Sequence, residues 1–268
     1  MNLNSLSYLP PQPKQPSLFS DEGEWNPSGQ WKEYGNQYKS RALYRTPLFT
    51  RIILDAMSCF RPQPTVLDIG CGRGIDGVQT HQVQISQHAG QMWGCEPDTE
   101  IRCNDCFHKV FPGLLENVPI PAKSVQVAYT SFVLEHIPDP TTFFSKIYEI
   151  LAPRGIFLGI TDYRWSFFTS ASQLFEWTKL KNVYLNFIRG NRGSQRYENY
   201  PTFYRANSKS AIDKATPKFH KSVFSHWHRF GELDHYLPNI LHLFGWGVDG
   251  LSIYGLLPRQ IFIVGLQK

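Results

Sequence analysis

The stretch "TVLDIGCGRGIDG", Thr65 to Gly77, carries two overlapping glycine patterns. Gly72 to Gly77 reads as G-x-G-x-x-G, the turn that cradles a dinucleotide pyrophosphate. Asp68 to Gly74 reads as an acid followed by alternating glycines at 70, 72 and 74. The apolar run Thr65–Ile69 predicts a buried strand, and a helix is expected to begin near Gly74 or Ile75. Strand, glycine turn and helix together open a parallel α/β sheet, with ligands at the carboxyl ends of its strands.

Asp68 separates the two readings. A pyrophosphate wants bare N–H groups at a helix start and no neighbouring anion. An ammonium or sulfonium wants the reverse, so the acid favours a cationic amino-acid tail such as that of S-adenosylmethionine. The next apolar run, "QMWGCE" (91–96), predicts a second strand that ends in Glu96. A carboxylate there can accept from both hydroxyls of a ribose, whichever nucleotide is bound.

The pattern continues outward. "YRTPLFTRIILDAM" spaces Leu48, Ile52, Ile53 and Met57 as a helix running to about Cys59, where "RPQP" breaks it. "VPIPAKS" (118–124) is a turn-rich loop and "VQVAYTS" (125–131) a third strand. Asp139 is a predicted N-cap with Pro140 at the first helical position, and Phe143, Phe144, Ile147, Ile150 and Leu151 share one face. "APRG" is expected to end that helix before the strand "IFLGITD" (156–162). "WGVDGLSIYG" and "RQIFIVGLQK" predict two antiparallel strands joined by "LLP".

Composition bounds the rest. The 268 residues are 41% hydrophobic, enough for a sizeable core, and carry a net charge of +5. Residues 1–30 are rich in Pro, Ser, Asn and Gln and predict a flexible arm. Between 163 and 230 stand twelve Lys or Arg against Glu176, Glu198 and Asp213, so that segment alone carries about +9. Five scattered cysteines do not form a disulfide framework. Cys103 and Cys106 make a C-x-x-C near His108, but no second ligand pair follows, and no metal site is expected. The N-terminus lacks a basic start with an apolar core, and no run is long enough to cross a bilayer. The expectation is a cytoplasmic protein.

"LDIGCGRG", "GCEPD", "NVPIPAKS" and "FVLEHIPDP" follow one another in an order that resembles class I S-adenosylmethionine-dependent methyltransferases of the small-molecule type. The resemblance spans roughly residues 45–162 and 240–268. It implies a Rossmann-like, mostly parallel seven-stranded sheet with an antiparallel closing strand. The methyltransferase domain would occupy 31–268, with 163–230 inserted as a helical and aromatic substrate cap. It also implies that Asp68, Gly70, Cys71, Gly72 and Gly74 cradle the methionine end of S-adenosylmethionine and that Glu96 holds the ribose. Leu115 and Glu116 would meet the adenine, Ser131 and Phe132 the sulfonium side, and His136 the pocket mouth. Leu114 and Leu115 stand where the family often has an acid, and Gln126 where an Asp is common.

Methyl transfer needs alignment first and a general base only for a protonated acceptor. His136, Tyr163, His226 and His228 are the candidate catalytic residues. The basic cap, with the N-terminal helix as a lid, predicts an anionic, lipid-linked or secondary-metabolite small molecule as acceptor. It also suggests peripheral membrane contact. An RNA methyltransferase or RNA-binding module is the alternative that basic charge and interleaved aromatics allow, although no appended RNA-binding domain is visible.

Overall fold

The computed structural model describes residues 25–177, 200–235, 237 and 239–268. A seven-stranded sheet runs through it in the order β3-β2-β1-β4-β5-β7-β6. The strands are β1 (Thr65–Ile69), β2 (Gln91–Glu96), β3 (Lys109–Pro112), β4 (Val125–Ser131), β5 (Leu151–Asp162), β6 (Lys221–Trp227) and β7 (Ile261–Gln267). The first five pair in parallel, while β7 is antiparallel to both β5 and β6. Order and directions agree with the expected Rossmann-like methyltransferase sheet.

Side chains alternate across the central strands, and both faces are covered. Val66, Val127, Tyr129, Leu158 and Ile160 join one core with Leu48, Phe49, Ile52 and Ile53 from helix α2 (Arg45–Ser58) and Trp31 and Tyr38 from α1 (Ser28–Lys39). On the other face Leu67, Ala128, Phe157 and Val264 meet Phe143, Phe144 and Ile147 of α4 (Pro140–Ile150). The remaining described helices are α3 (Gln79–Ser86), α5 (Phe167–Trp177), α6 (Lys209–Ala215) and α7 (His242–Ile253). Asp139 caps α4 as its sequence predicts, accepting the N–H groups of Thr141 and Thr142 at 3.0 and 3.3 Å.

Four local expectations change. Helix α3 starts at Gln79 rather than beside Gly74. Leu151 begins β5 instead of ending α4, and "APRG" becomes an irregularity inside the strand, between the pairings Val125↔Leu151 and Val127↔Ile156. Trp25 is buried against Trp31, so the chain is anchored before the boundary expected at residue 30.

The largest change is at the end of the chain. "WGVDGLSIYG" lies almost wholly in α7, which buries Gly245, Val248, Asp249 and Ser252 at helical spacing. The partner of β7 is β6, from the end of the basic segment. Residues 221–227 are therefore sheet and not cap. Alternating small and large residues in 246–255 imitate a strand, but the buried Asp249, which accepts from the Gly231 N–H at 2.8 Å, is satisfied in the helix.

Candidate active site

A cavity of about 1220 Å³ opens over the carboxyl ends of β1, β2, β4 and β5. Gly70, Gly72 and Gly74 form part of its wall, with Glu96, Leu115, Glu116, Ser131, Phe132 and His136. Gly70 has φ +74°, and a Cβ there would stand 2.5 Å from Val133 Cγ2, so no side chain fits this bend. The Gly70 N–H donates to the Cys95 carbonyl at 2.8 Å, locking the turn to β2. Glu96 is held by two backbone donors, Gly72 N–H on Oε2 at 2.9 Å and Asp98 N–H on Oε1 at 3.0 Å. Each oxygen keeps a second lone pair for a ligand hydroxyl. Ser131 Oγ is buried with no partner among the described residues. Phe132 sits at φ +53°, a costly conformation for an aromatic residue, at the point where β4 meets the cavity.

Asp68 and Cys71 do not line the cavity. The Asp68 carboxylate, 3% exposed, lies beneath the turn. Its Oδ2 accepts from Gln82 Nε2 and from the Tyr129 hydroxyl, each at 2.8 Å. Gln82 Nε2 also reaches the Cys71 carbonyl at 2.6 Å. Asp68 therefore braces the turn from below. Burial pushes its carboxyl up to about 7, against the pull of those two hydrogen bonds. Cys71 points away as well, its Sγ 3.5 Å from Cys103 Sγ. The C-x-x-C pair does not converge on His108, whose Nδ1 accepts from the Met92 N–H at 3.0 Å. Gln126 is structural, its Oε1 accepting the Thr65 N–H at 2.8 Å.

Of the four candidate catalytic residues only His136 borders the cavity. Its Nδ1 lies 2.9 Å from the Pro201 carbonyl oxygen, and its ring meets Tyr200 edge-on. The other three are corrected. The His226 ring packs between Tyr163, at 4.6 Å, and Phe262, at 5.0 Å, on the sheet, and burial pulls its imidazole down to about 4. His228 Nδ1 accepts the Gln260 N–H at 3.1 Å, so Nε2 carries the proton and donates to Asp249 at 2.9 Å. These rings fasten β6 to its neighbours.

The cavity instead gathers Arg45, Asp76, Glu135 and Asp162, none of them singled out from the sequence. Arg45, the first residue of α2, grips Asp76 through Nε at 2.8 Å and Nη2 at 3.1 Å, and its guanidinium lies 4.6 Å over the Phe132 ring. Helix α2 thus contributes one reaching residue, Arg45, to the wall. Glu135 Oε2 accepts from the Thr161 hydroxyl at 2.6 Å, and Asp162 Oδ1 from Gln260 Nε2 at 2.8 Å. Burial pushes both carboxyls up to about 7; for Asp162 the neighbouring Glu135 adds to the effect. A signal for Asp162 was present, since like Glu96 it is an acid ending a parallel strand.

The described part of the cavity wall is mainly acidic. Seven carboxylates and two guanidiniums line the cavity, and none of the twelve basic residues of 163–230 is among its described lining residues. Lys179, Lys181, Arg189, Arg192 and Arg196 fall outside the described residues. Among the described residues, basic charge in that segment supplies no part of the cavity wall.

The fold agrees with that of known proteins. Helix, strand and turn order resemble a SAM-dependent methyltransferase from Archaeoglobus fulgidus (TM-score 0.50, 15% identity, 83% of this chain and 94% of that one). A similar likeness holds for Haemonchus contortus phosphoethanolamine N-methyltransferase 2 in complex with S-adenosyl-L-methionine (TM-score 0.53, 13% identity, 82% of this chain and 52% of that one). In sequence the chain is 31% identical over 106 residues to a Mycolicibacterium smegmatis protein named "Probable S-adenosylmethionine-dependent methyltransferase", covering 38% of this chain and 39% of that protein. The chain thus spans well under half the length of the curated relatives it matches. The model of the methyltransferase domain matches residues 39–197, more than half of the 268. On that match, the chain belongs to the methyltransferase-domain family.

Proposed function

We propose that the chain transfers a methyl group from S-adenosylmethionine to a small-molecule acceptor. The observation that carries this reading is Glu96, fixed by two backbone N–H groups at the end of β2 and facing a cavity that begins at a side-chain-free turn. That arrangement suits a ribose diol beside an amino-acid tail. Gly70, Gly72 and Gly74 would meet the methionine end, with Asp68 adding negative charge from below. Leu115 and Glu116 would border the adenine, and the unpartnered Ser131 hydroxyl would gain a partner. When bound, S-adenosylmethionine supplies a methyl carbon already activated by sulfonium.

The chain's own contribution is alignment and, for a protonated acceptor, proton removal. Glu135 and Asp162 suit the second task better than the histidines do. Both are buried in the cavity wall, both are held by one neighbour each, and both titrate near neutrality. The acid-rich wall disfavours an RNA phosphate backbone at the reacting end.

Calorimetry with S-adenosylhomocysteine and, separately, NAD tests the assignment. Binding of the first and none of the second is expected, with Glu96→Ala weakening it by about tenfold or more, the usual scale for losing hydrogen bonds to a charged group. NAD binding, or an unchanged affinity in the variant, would remove it.

A further inference from the structure

Helix α7 (His242–Ile253) is built inside out. The side it buries is made of small and polar residues, Gly245, Asp249 and Ser252, with Val248. The side it exposes is apolar: Leu243, Phe244, Trp246 and Leu251. The surface continues at both ends, through Ile240 before the helix and Tyr254 and Leu256 after it; Ile240 is 88% exposed and Leu243 77%. An ordinary surface helix shows the opposite arrangement. Exposed apolar patches of this kind mark interaction sites.

Three observations say what covers it. The first is charge. Between Asn239 and Leu257 the one Asp, Glu, Lys or Arg is Asp249, buried and hydrogen-bonded to His228 and Gly231, and the one carboxylate seen on the exposed face is that of Asp234 at its edge, which accepts the Trp246 indole N–H at 3.0 Å. The second is the border. The patch reaches α5, where Phe244 packs on Phe167 with ring centroids 5.6 Å apart, and Trp165 beside it is exposed under the Arg164 guanidinium at 5.3 Å. Exposed Arg259 stands at the other end, directly after Pro258. Half-buried Arg164 donates to the Tyr204 carbonyl at 3.1 Å and Arg259 to the His226 carbonyl at 3.0 Å, each with further N–H groups left to meet an anion, and Arg164 lies in the 163–230 segment with its twelve basic to three acidic residues. The third is the cavity. Phe167, with Leu233 and Leu237 from the turn before α7, lines its wall, so the cavity's apolar side adjoins this surface.

We propose that the exposed face of α7 lies on the surface of an anionic lipid bilayer. Leu, Ile, Phe and Trp enter the headgroup–acyl boundary, and the flanking arginines meet lipid phosphates. The basic segment alone would give a salt-sensitive encounter; the apolar helix supplies the anchoring. This surface stands whether or not the methyl-transfer reading holds, because none of its anchoring residues touches the glycine turn.

Co-sedimentation of the full chain with mixed phosphatidylcholine–phosphatidylglycerol vesicles tests it, beside pure phosphatidylcholine vesicles and a lipid-free control. Binding to the mixed vesicles is expected to exceed that to the neutral ones by about tenfold, the effect of one or two arginines near an anionic surface. The double variant Ile240→Glu, Leu243→Glu should lose about tenfold or more in vesicle binding. Both side chains project into solvent, so its melting temperature and S-adenosylhomocysteine affinity should match wild type. Analytical ultracentrifugation runs in parallel. Absence of vesicle binding, equal binding by the variant, or a lipid-independent dimer that the variant dissolves would each overturn the proposal, the last assigning the face to a second copy of the chain.

Discussion

Asp68 carries its charge beneath the glycine turn and not in the cavity. Its acid character points to a cationic ligand, but its carboxylate is turned under the glycine bend toward Gln82 and Tyr129. Any influence on a bound ammonium is then through space, and it depends on Asp68 being ionised. Burial holds that carboxyl at about 7, so raising the pH from 6 to 8 charges it. Affinity for S-adenosylhomocysteine should rise over that interval, by up to about tenfold for one group titrating at its midpoint. Asp68→Asn keeps the shape and should reduce this rise, leaving the part due to Glu135 and Asp162, which line the cavity and charge over the same interval. Calorimetry at the two pH values checks it, and an equal rise in the variant would detach the ligand from Asp68.

At the level of elements, the parallel strands were legible because each is a short apolar run bounded by turn residues. The exception is the closing pair, where β7 was read correctly and its partner was not. Local alternation in 246–255 imitates a strand, whereas β6 earns its place through pairing with residues some forty positions away. β7 also carries a close-packing constraint. A Cβ on Gly265 would stand 2.5 Å from the Trp25 ring and 2.7 Å from the Trp31 ring, both fully buried and stacked edge-on. Neither indole has room to yield. Gly265→Ala should destabilise by about 2 kcal/mol, the scale of overpacking a core. A Tm lowered by about 5 °C is the expected calorimetric result. A change within error would mean that the α1 end of the chain is loosely docked.

The whole molecule stores unpaired acidity. Asp68, Glu135 and Asp162 all sit near 7 because they are buried, well above the ordinary carboxylate value near 4. In the folded state they hold protons that the unfolded chain has already released, so stability falls as pH rises from about 4 through 7. His226, held down at about 4, acts in the opposite sense, but only below about 6.5, where the unfolded imidazole takes up its proton. Above that pH the acids act without it. The ligand-free protein should melt at a lower temperature at pH 8 than at pH 6.5. The double variant Glu135→Gln, Asp162→Asn should flatten this dependence and raise the pH 8 Tm. Scanning calorimetry without ligand decides, and parallel curves for the two proteins would contradict the burial argument. A stabilised but less active variant is the usual consequence of neutralising a functional cluster.

Much of this architecture was readable in the linear chain, because periodicity, capping and turn chemistry act between residues a few positions apart. The glycine bend, the acid ending β2, the Asp139 cap and the alternation of strand with helix are all of that kind. The acidic wall is not. Arg45, Asp76, Glu135 and Asp162 come from four separate segments, and nothing in any one of them announces the others. Folding brings them together, decides that Asp68 faces inward, and removes Tyr163, His226 and His228 from the cavity. Burial and long-range contact set side-chain direction and acidity, and neither is written in the spacing of neighbours.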